Sequence, residues 1–372
     1  MLNSYSIYLL SNRMSSTSTP YSGFTTEITR TGDPQNARRV RRLKKALLAI
    51  KLARPRTWTF AVISYLFGCM ATSTLIPWKM FLGMAIFALG TGATNLINVY
   101  TDIEEDAINL PIRAGMVGEL GRRNLVYVIV GLYPLILLLS IPFGLNLLLV
   151  VALAEFDSIG YSLPPFRFKR HPVTALVAFS GAVSLPFLAG LVVADSSLLN
   201  PLLLLLGSFM FAYGTVKNIP DVLGDTRAGL KTTATVSTSL KKVVETSTLL
   251  LLIPYIILFS MVAFNILSPI YLMDLVYLPF LAYWSLGNTR TSDTEMLEQL
   301  HSFGFIYAVA FILFNLVLTY PSQVSFGIMV VTLSLILLVS RFRVDSRIQH
   351  PLESYQEQSL KQRGKNLGSY RY

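Results

Sequence analysis

Charge is scarce in this chain. Only 14% of its 372 residues are Asp, Glu, Lys or Arg, while 53% are hydrophobic. A soluble domain carries about a quarter charged residues, so the composition excludes a soluble fold and implies an integral membrane protein. Cysteine is scarcer still. Cys69 stands alone, which rules out a disulfide within the chain and a zinc site built on several thiolates. Three scattered histidines, His171, His301 and His350, leave no basis for a His-rich metal or haem centre. No apolar run in the first 56 residues is long enough for a clear signal sequence, since SIYLL is too short.

The charge that exists is unevenly placed. The net charge is +11. Residues 1–56 carry eleven Lys and Arg against two acids, and residues 341–372 carry seven against three. Basic tails beside membrane helices mark the cytoplasmic face and anionic lipid, so membrane lipids are expected partners and nucleic acid is not. The Ser/Thr-rich stretch Ser11–Arg30 reads as a disordered tail, with an organelle transit peptide as the alternative. ARRVRRLKKALLAIKLARPR reads as an amphipathic basic helix at the membrane surface.

A bilayer core of about 30 Å needs roughly 20 mostly apolar residues per spanning helix. Ten runs qualify as candidates: 57–75, 78–100, 124–141, 144–161, 172–193, 199–217, 245–266, 269–286, 303–320 and 324–340. The fourth is interrupted by Glu155 and Asp157. Alternate loops hold nearly all the Lys and Arg, which places both termini in the cytoplasm. The expected fold is therefore all-α: a polytopic bundle of nine to ten membrane helices around a central cavity. It divides into a basic tail (1–56), a membrane domain (57–340) and a polar basic tail (341–372).

Two acidic segments carry the chemistry. Asn98, Asp102 and Asp106 recur every four residues in NVYTDIEED, where the second run meets a polar loop. Asp221 and Asp225 repeat the spacing in NIPDVLGD, after the sixth run. On a helix, residues four apart share a face. Rows of carboxylates at a membrane edge repel one another, and hard divalent cations resolve that repulsion. Mg2+ suits Asp carboxylates, an Asn carbonyl and the phosphates of a substrate. Arg113, Lys169, Arg227 and Lys231 lie in the same cytoplasmic loops and can grip a diphosphate; topology alone also accounts for them. Helix caps and solvated loop acids are the plainer reading of the carboxylates.

NVYTDIEEDAINLPIR and the following Gly118 resemble the first aspartate-rich signature of the UbiA superfamily of intramembrane prenyltransferases, with Asn98, Asp102, Asp106, Asn109, Pro111, Arg113 and Gly118 in register. KNIPDVLGDTRAGLKT resembles the second, through Asp221, Asp225, Gly229 and Lys231. YSLPPFRFKR (Tyr161 to Arg170) is similar to a segment of the homogentisate and chlorophyll branches, and LARPRTW also looks familial. The resemblance covers about residues 50 to 320. It departs where Ala114 replaces a proline and where Glu119 replaces a basic residue.

The resemblance implies a Mg-dependent enzyme that ionises an isoprenyl diphosphate and transfers the prenyl group to a lipophilic or aromatic acceptor. The implied metal ligands are Asn98, Asp102, Asp106, Asp221 and Asp225. Arg113, Lys169, Arg227 and Lys231 would hold the diphosphate, and Tyr161 would join the aspartates in catalysis. A terpene cyclase on the same site is the alternative, and a transporter without chemistry is a third reading. Glu155 and Asp157 stay open between a base for an acceptor's proton and a water-facing span end.

Overall fold

The computed structural model describes residues 34–72, 76–227, 229–236, 240–282 and 294–339. The expected disordered N-terminal stretch and the C-terminal tail lie outside the described residues. The chain divides into two units, Met1–Leu48 and Ala49–Tyr372. The first holds most of the basic helix α1 (Pro34–Leu52), so the expected helical conformation of that segment is present. The second unit contains the apolar helices.

Proline sets many of the starts. α2 (Pro55–Cys69), α3 (Pro77–Thr101), α5 (Pro111–Leu120), α8 (Pro172–Val193) and α9 (Pro201–Asn218) each open on one. A first-turn N–H lacks a helical partner anyway, and the proline ring presets φ. Between them lie α4 (Ile103–Asn109), α6 (Arg122–Ser140) and α7 (Leu145–Ser162). α10 (Val222–Arg227), α11 (Leu240–Ala263), α12 (Thr294–Thr319) and α13 (Gln323–Val339) complete the order, with a 3-10 helix at Pro269–Tyr277.

All ten expected apolar runs are helical over most of their length, but the count of ten spans is not carried over. Among the described residues, six helices are long and apolar enough to cross a membrane: Pro77–Thr101, Arg122–Phe143, Leu145–Ser162, Pro172–Val193, Pro201–Asp221 and Lys242–Ala263. α2 is only 15 residues long. Pro269–Ala282, Gly304–Thr319 and Gln323–Ile336 are also short. Hydropathy marks where a chain is apolar; turn residues and packing decide where the helix stops. The interrupted fourth run is long and apolar enough to cross a membrane despite its two acids. Large apolar side chains such as Phe81, Leu138, Leu204 and Phe259 are exposed on the outside, as lipid-facing residues should be.

The core is dense. α8 packs along α2 more extensively than any other helix pair among the described residues. Glycine permits it: a Cβ built on Gly68 would lie 2.2 Å from the Phe187 carbonyl oxygen, and one on Gly190 would lie 2.2 Å from that of Tyr65. Membrane helices approach closely where small residues face each other. α9 lies against α8, α11 and α12, with Phe209 stacked on Phe311 at 3.9 Å between ring centres.

Candidate active site

The first acidic row does not lie on one unbroken helix. α3 ends at Thr101, and Asp102 sits in the break before α4. The four-residue ladder nevertheless continues through it. The Asp102 N–H donates to the Asn98 carbonyl (2.9 Å), that of Asp106 to Asp102 (2.7 Å), and that of Leu110 to Asp106 (2.7 Å). At the second segment α9 tightens into a 3-10 turn at Ile219–Asp221 before α10. Gly229 closes that segment with φ +68°, a left-handed conformation that glycine adopts without steric cost.

The two segments meet. α4 packs on α10, and the Asn109 amide donates to the Asp221 carbonyl at 3.1 Å. Asp106 lies within electrostatic reach of Asp221, and Asp225 within reach of Glu105. Residues more than a hundred positions apart thus form one acidic mouth. α7 joins it at its end, where the Ser162 hydroxyl donates to the Asn98 amide oxygen.

Cations are already engaged here. Arg113, buried, donates to both Asp106 oxygens at 3.1 and 3.2 Å. Lys169, also buried, donates to Asp102 and, at 3.0 Å, to the Thr101 hydroxyl. Arg167, held at φ +39°, reaches Glu105 at 3.6 Å. Arg227 and Lys231 are exposed.

Burial pushes the Asp106 carboxyl up to about 6 against the pull of Arg113, with Asp221 adding to the push. Burial pushes Asp225 up to about 8; Asp221 adds, while Lys217 and Lys169 oppose. Burial also brings the Lys169 ammonium down to about 7, against the attraction of Asp225. The carboxyls thus lack enough nearby positive charge to offset their burial and hold protons more tightly than free acids. Among the described residues no three His, Cys, Asp or Glu side chains are gathered as a ready-made metal cage. The donors are all hard oxygens and their charge is only partly offset, so the residues fit Mg2+, which takes part of its shell from substrate phosphates and water.

Beside this acidic cluster lies a cavity of about 1400 Å³, its opening included, that Asn98 lines but the four aspartates do not. Its walls are mostly apolar, from Phe60, Phe87, Ile136, Phe179, Leu185 and Met210. Asn98 and Tyr161 are the predicted residues that line it. Three further cations line it as well: Arg54, Arg56 and Lys217. Lys217 stands 4.6 Å from the Phe179 ring centre and 5.7 Å from that of Tyr161. Arg54 is left-handed at φ +53°. The turn before it is pinned because the Ala53 carbonyl accepts from Trp58 (2.7 Å) and Asn95 (2.9 Å). The sequence reading missed these three, although Arg54 and Arg56 stand in LARPRTW and Lys217 directly precedes NIPD. Glu155 and Asp157 also line the cavity.

An all-helical fold with lipid-length apolar helices and an acidic, cation-flanked cluster beside an apolar chamber defines a multi-pass membrane protein. The sequence profile of the UbiA prenyltransferase family matches residues 58–309, and the chain belongs to that family. Among curated relatives, the bacteriochlorophyll synthase 34 kDa chain of Chloroflexus aurantiacus is 30% identical over 49% of this chain and 62% of its own length. The digeranylgeranylglyceryl phosphate synthase of Methanothermobacter thermautotrophicus is 29% identical over 49% of this chain and 64% of its own length. For both, the chain spans a little under two thirds of the relative. The synthase of the same name from Methanosphaera stadtmanae is 25% identical over 70% of this chain and 95% of its own length. A UbiA homologue from Archaeoglobus fulgidus, solved bound to GPP and Mg2+, superposes with a TM-score of 0.54 at 20% identity, covering 71% of this chain and 99% of that one. That likeness establishes the fold. None of the relatives named here supports the cyclase alternative.

Proposed function

We propose that this protein is an intramembrane prenyltransferase that takes an isoprenyl diphosphate as donor and a lipophilic or aromatic compound as acceptor. The observation that carries this reading is the meeting of two aspartate segments beside one apolar cavity, within electrostatic reach of Lys217 and Tyr161 in its wall. Asn98, Asp102, Asp106, Asp221 and Asp225 would hold Mg2+, which when bound supplies Lewis-acid stabilisation of the departing diphosphate. Arg54, Arg56 and Lys217 line the space beneath and would face the diphosphate oxygens. Arg113 and Lys169 hold Asp106 and Asp102 in place and are close enough to share their hydrogen bonds with phosphate. Arg227 and Lys231, at the exposed rim, would guide the anion inward. The Tyr161 hydroxyl would orient the leaving oxygen.

The apolar wall houses the prenyl chain and excludes water, which would otherwise quench an allylic cation. Phe and Tyr rings facing the chamber stabilise positive charge through their π faces. The bond from prenyl carbon to diphosphate oxygen breaks with its electron pair leaving on oxygen; the acceptor supplies the pair for the new bond, and its displaced proton leaves with the diphosphate. By the positive-inside pattern, both termini and the mouth face the cytoplasm.

The test is pyrophosphate release from geranyl diphosphate and Mg2+ by Asp102→Ala and Asp221→Ala proteins. A loss of about a hundredfold or more is expected in each, the scale for removing one preorganised electrostatic group. Undiminished release in both would remove the assignment. A cyclic product formed without any acceptor would move the reading to cyclisation.

A further inference from the structure

The cavity has a second polar pole, away from the acidic mouth. Glu155 on α7 lines the chamber and is only 8% exposed. Its Oε1 is buried and receives no hydrogen bond. At 1.5 Å per residue, Glu155 stands about 10 Å along α7 from Ser162, which binds Asn98 at the mouth. A buried carboxyl oxygen without a donor keeps its desolvation cost unrelieved, and it calls for a partner.

The hydroxyls beside it settle what kind of partner. Thr94 Oγ1 contacts the Gly90 carbonyl at 2.9 Å, and a carbonyl only accepts, so the Thr94 proton is committed there. Ser158 Oγ lies 2.7 Å from Thr94 Oγ1 and must therefore donate to it. Tyr133 OH lies 2.7 Å from Ser158 Oγ, and with the serine proton spent, Tyr133 must donate in turn. The relay runs Tyr133 to Ser158 to Thr94 to Gly90. Its open end is the Tyr133 oxygen, which also lines the cavity and lies within the electrostatic reach of Glu155. Two oxygens that receive no donor, Glu155 Oε1 and the Tyr133 hydroxyl oxygen, thus face one chamber.

We propose that Glu155 and Tyr133 form the acceptor subsite and bind an O–H or N–H donor group of the acceptor. The proposal rests on the reading of this cavity as the chamber of prenyl transfer, and it makes Glu155 a specificity-determining and positioning residue. A hydroxylic or phenolic amphiphile fits, whereas the same skeleton with that proton capped does not. The apolar wall around the pole suits the rest of such a molecule. A polar group on the prenyl chain itself would have the same chemistry, and the experiment separates the two sources.

The probes are 4-octylphenol and 4-octylanisole, which differ only by methylation of the oxygen. Equilibrium binding is measured on the purified protein in nanodiscs, with and without Mg2+ and geranyl diphosphate. In the unaltered protein the phenol is expected to bind about tenfold tighter than the anisole, the worth of one net hydrogen bond. Glu155→Leu should bring that ratio close to one while anisole affinity and geranyl diphosphate binding stay within twofold. Tyr133→Phe, which removes the second acceptor, should lower the ratio without abolishing it, and it serves as the working variant if Glu155→Leu does not fold. A ratio near one in the unaltered protein, or a tenfold ratio that survives both substitutions, overturns the subsite. A phenol preference that vanishes when geranyl diphosphate fills the chamber assigns the pole to the prenyl chain and overturns it as well. Because pyrophosphate release is read separately, failure of the subsite is distinguishable from failure of the prenyl-transfer reading.

Discussion

Asp225 shows what the mouth demands of single side chains. Its carboxyl is pushed up to about 8 by burial and by Asp221, and that of Asp106 to about 6. Protons therefore hold sites that a cation would take. Cation binding must expel them, so affinity for Mg2+ should rise as pH increases from 6 to 8. The slope should approach tenfold per pH unit for each proton released, and calorimetry in buffers of different ionisation enthalpy would count those protons. A pH-independent affinity would mean that the cation does not bind at these carboxylates. The aspartates were legible in the sequence because acids repeated at a membrane edge are costly unless a cation joins them. Arg54, Arg56 and Lys217 were not, because topology accounts for nearly every Lys and Arg in a cytoplasmic loop. Only the cavity distinguishes those that line it.

At the scale of the helix, packing tolerances are narrow where α2 meets α8. A Cβ on Gly190 would approach backbone, which cannot swing aside as a side chain can. Gly190→Val should lower the apparent melting temperature in detergent by several degrees, as overpacking usually destabilises by about 1–3 kcal/mol. Gly118→Ala is the contrasting case. Gly118 belongs to the first aspartate-rich signature, yet nothing lies within 4 Å of its added Cβ, so thermal stability should be unchanged. Equal losses in both variants would mean that the contact between α2 and α8 is not the cause. The apolar runs announced the helices, but their ends were less legible. The break at Asp102 keeps the same backbone hydrogen-bond spacing as a helix and leaves no mark in the residue pattern.

For the whole molecule, stability should depend on pH in a direction fixed by the mouth. Asp106 and Asp225 hold protons more tightly when folded than when unfolded. Their contribution is full below about pH 4 and is lost as pH rises through their folded values. Lys169, brought down to about 7, acts oppositely, but only above pH 7. Without divalent cations the melting temperature should therefore fall between about pH 4 and 7, and added Mg2+ should restore most of the loss. A metal-free melting temperature that rises over that window would contradict the buried, partly compensated acids. By itself the sequence determined that the chain is a helical membrane protein, where its apolar runs lie, and which aspartates repeat at four-residue spacing, because hydropathy and periodicity are local properties. Tertiary structure decided that the two acidic segments share one mouth, that Arg113 and Lys169 are already paired there, and that Glu155 and Tyr133 face a common chamber. Those facts depend on which distant helices lie side by side, and packing contacts such as Gly68 against Gly190 and α4 against α10 fix that arrangement.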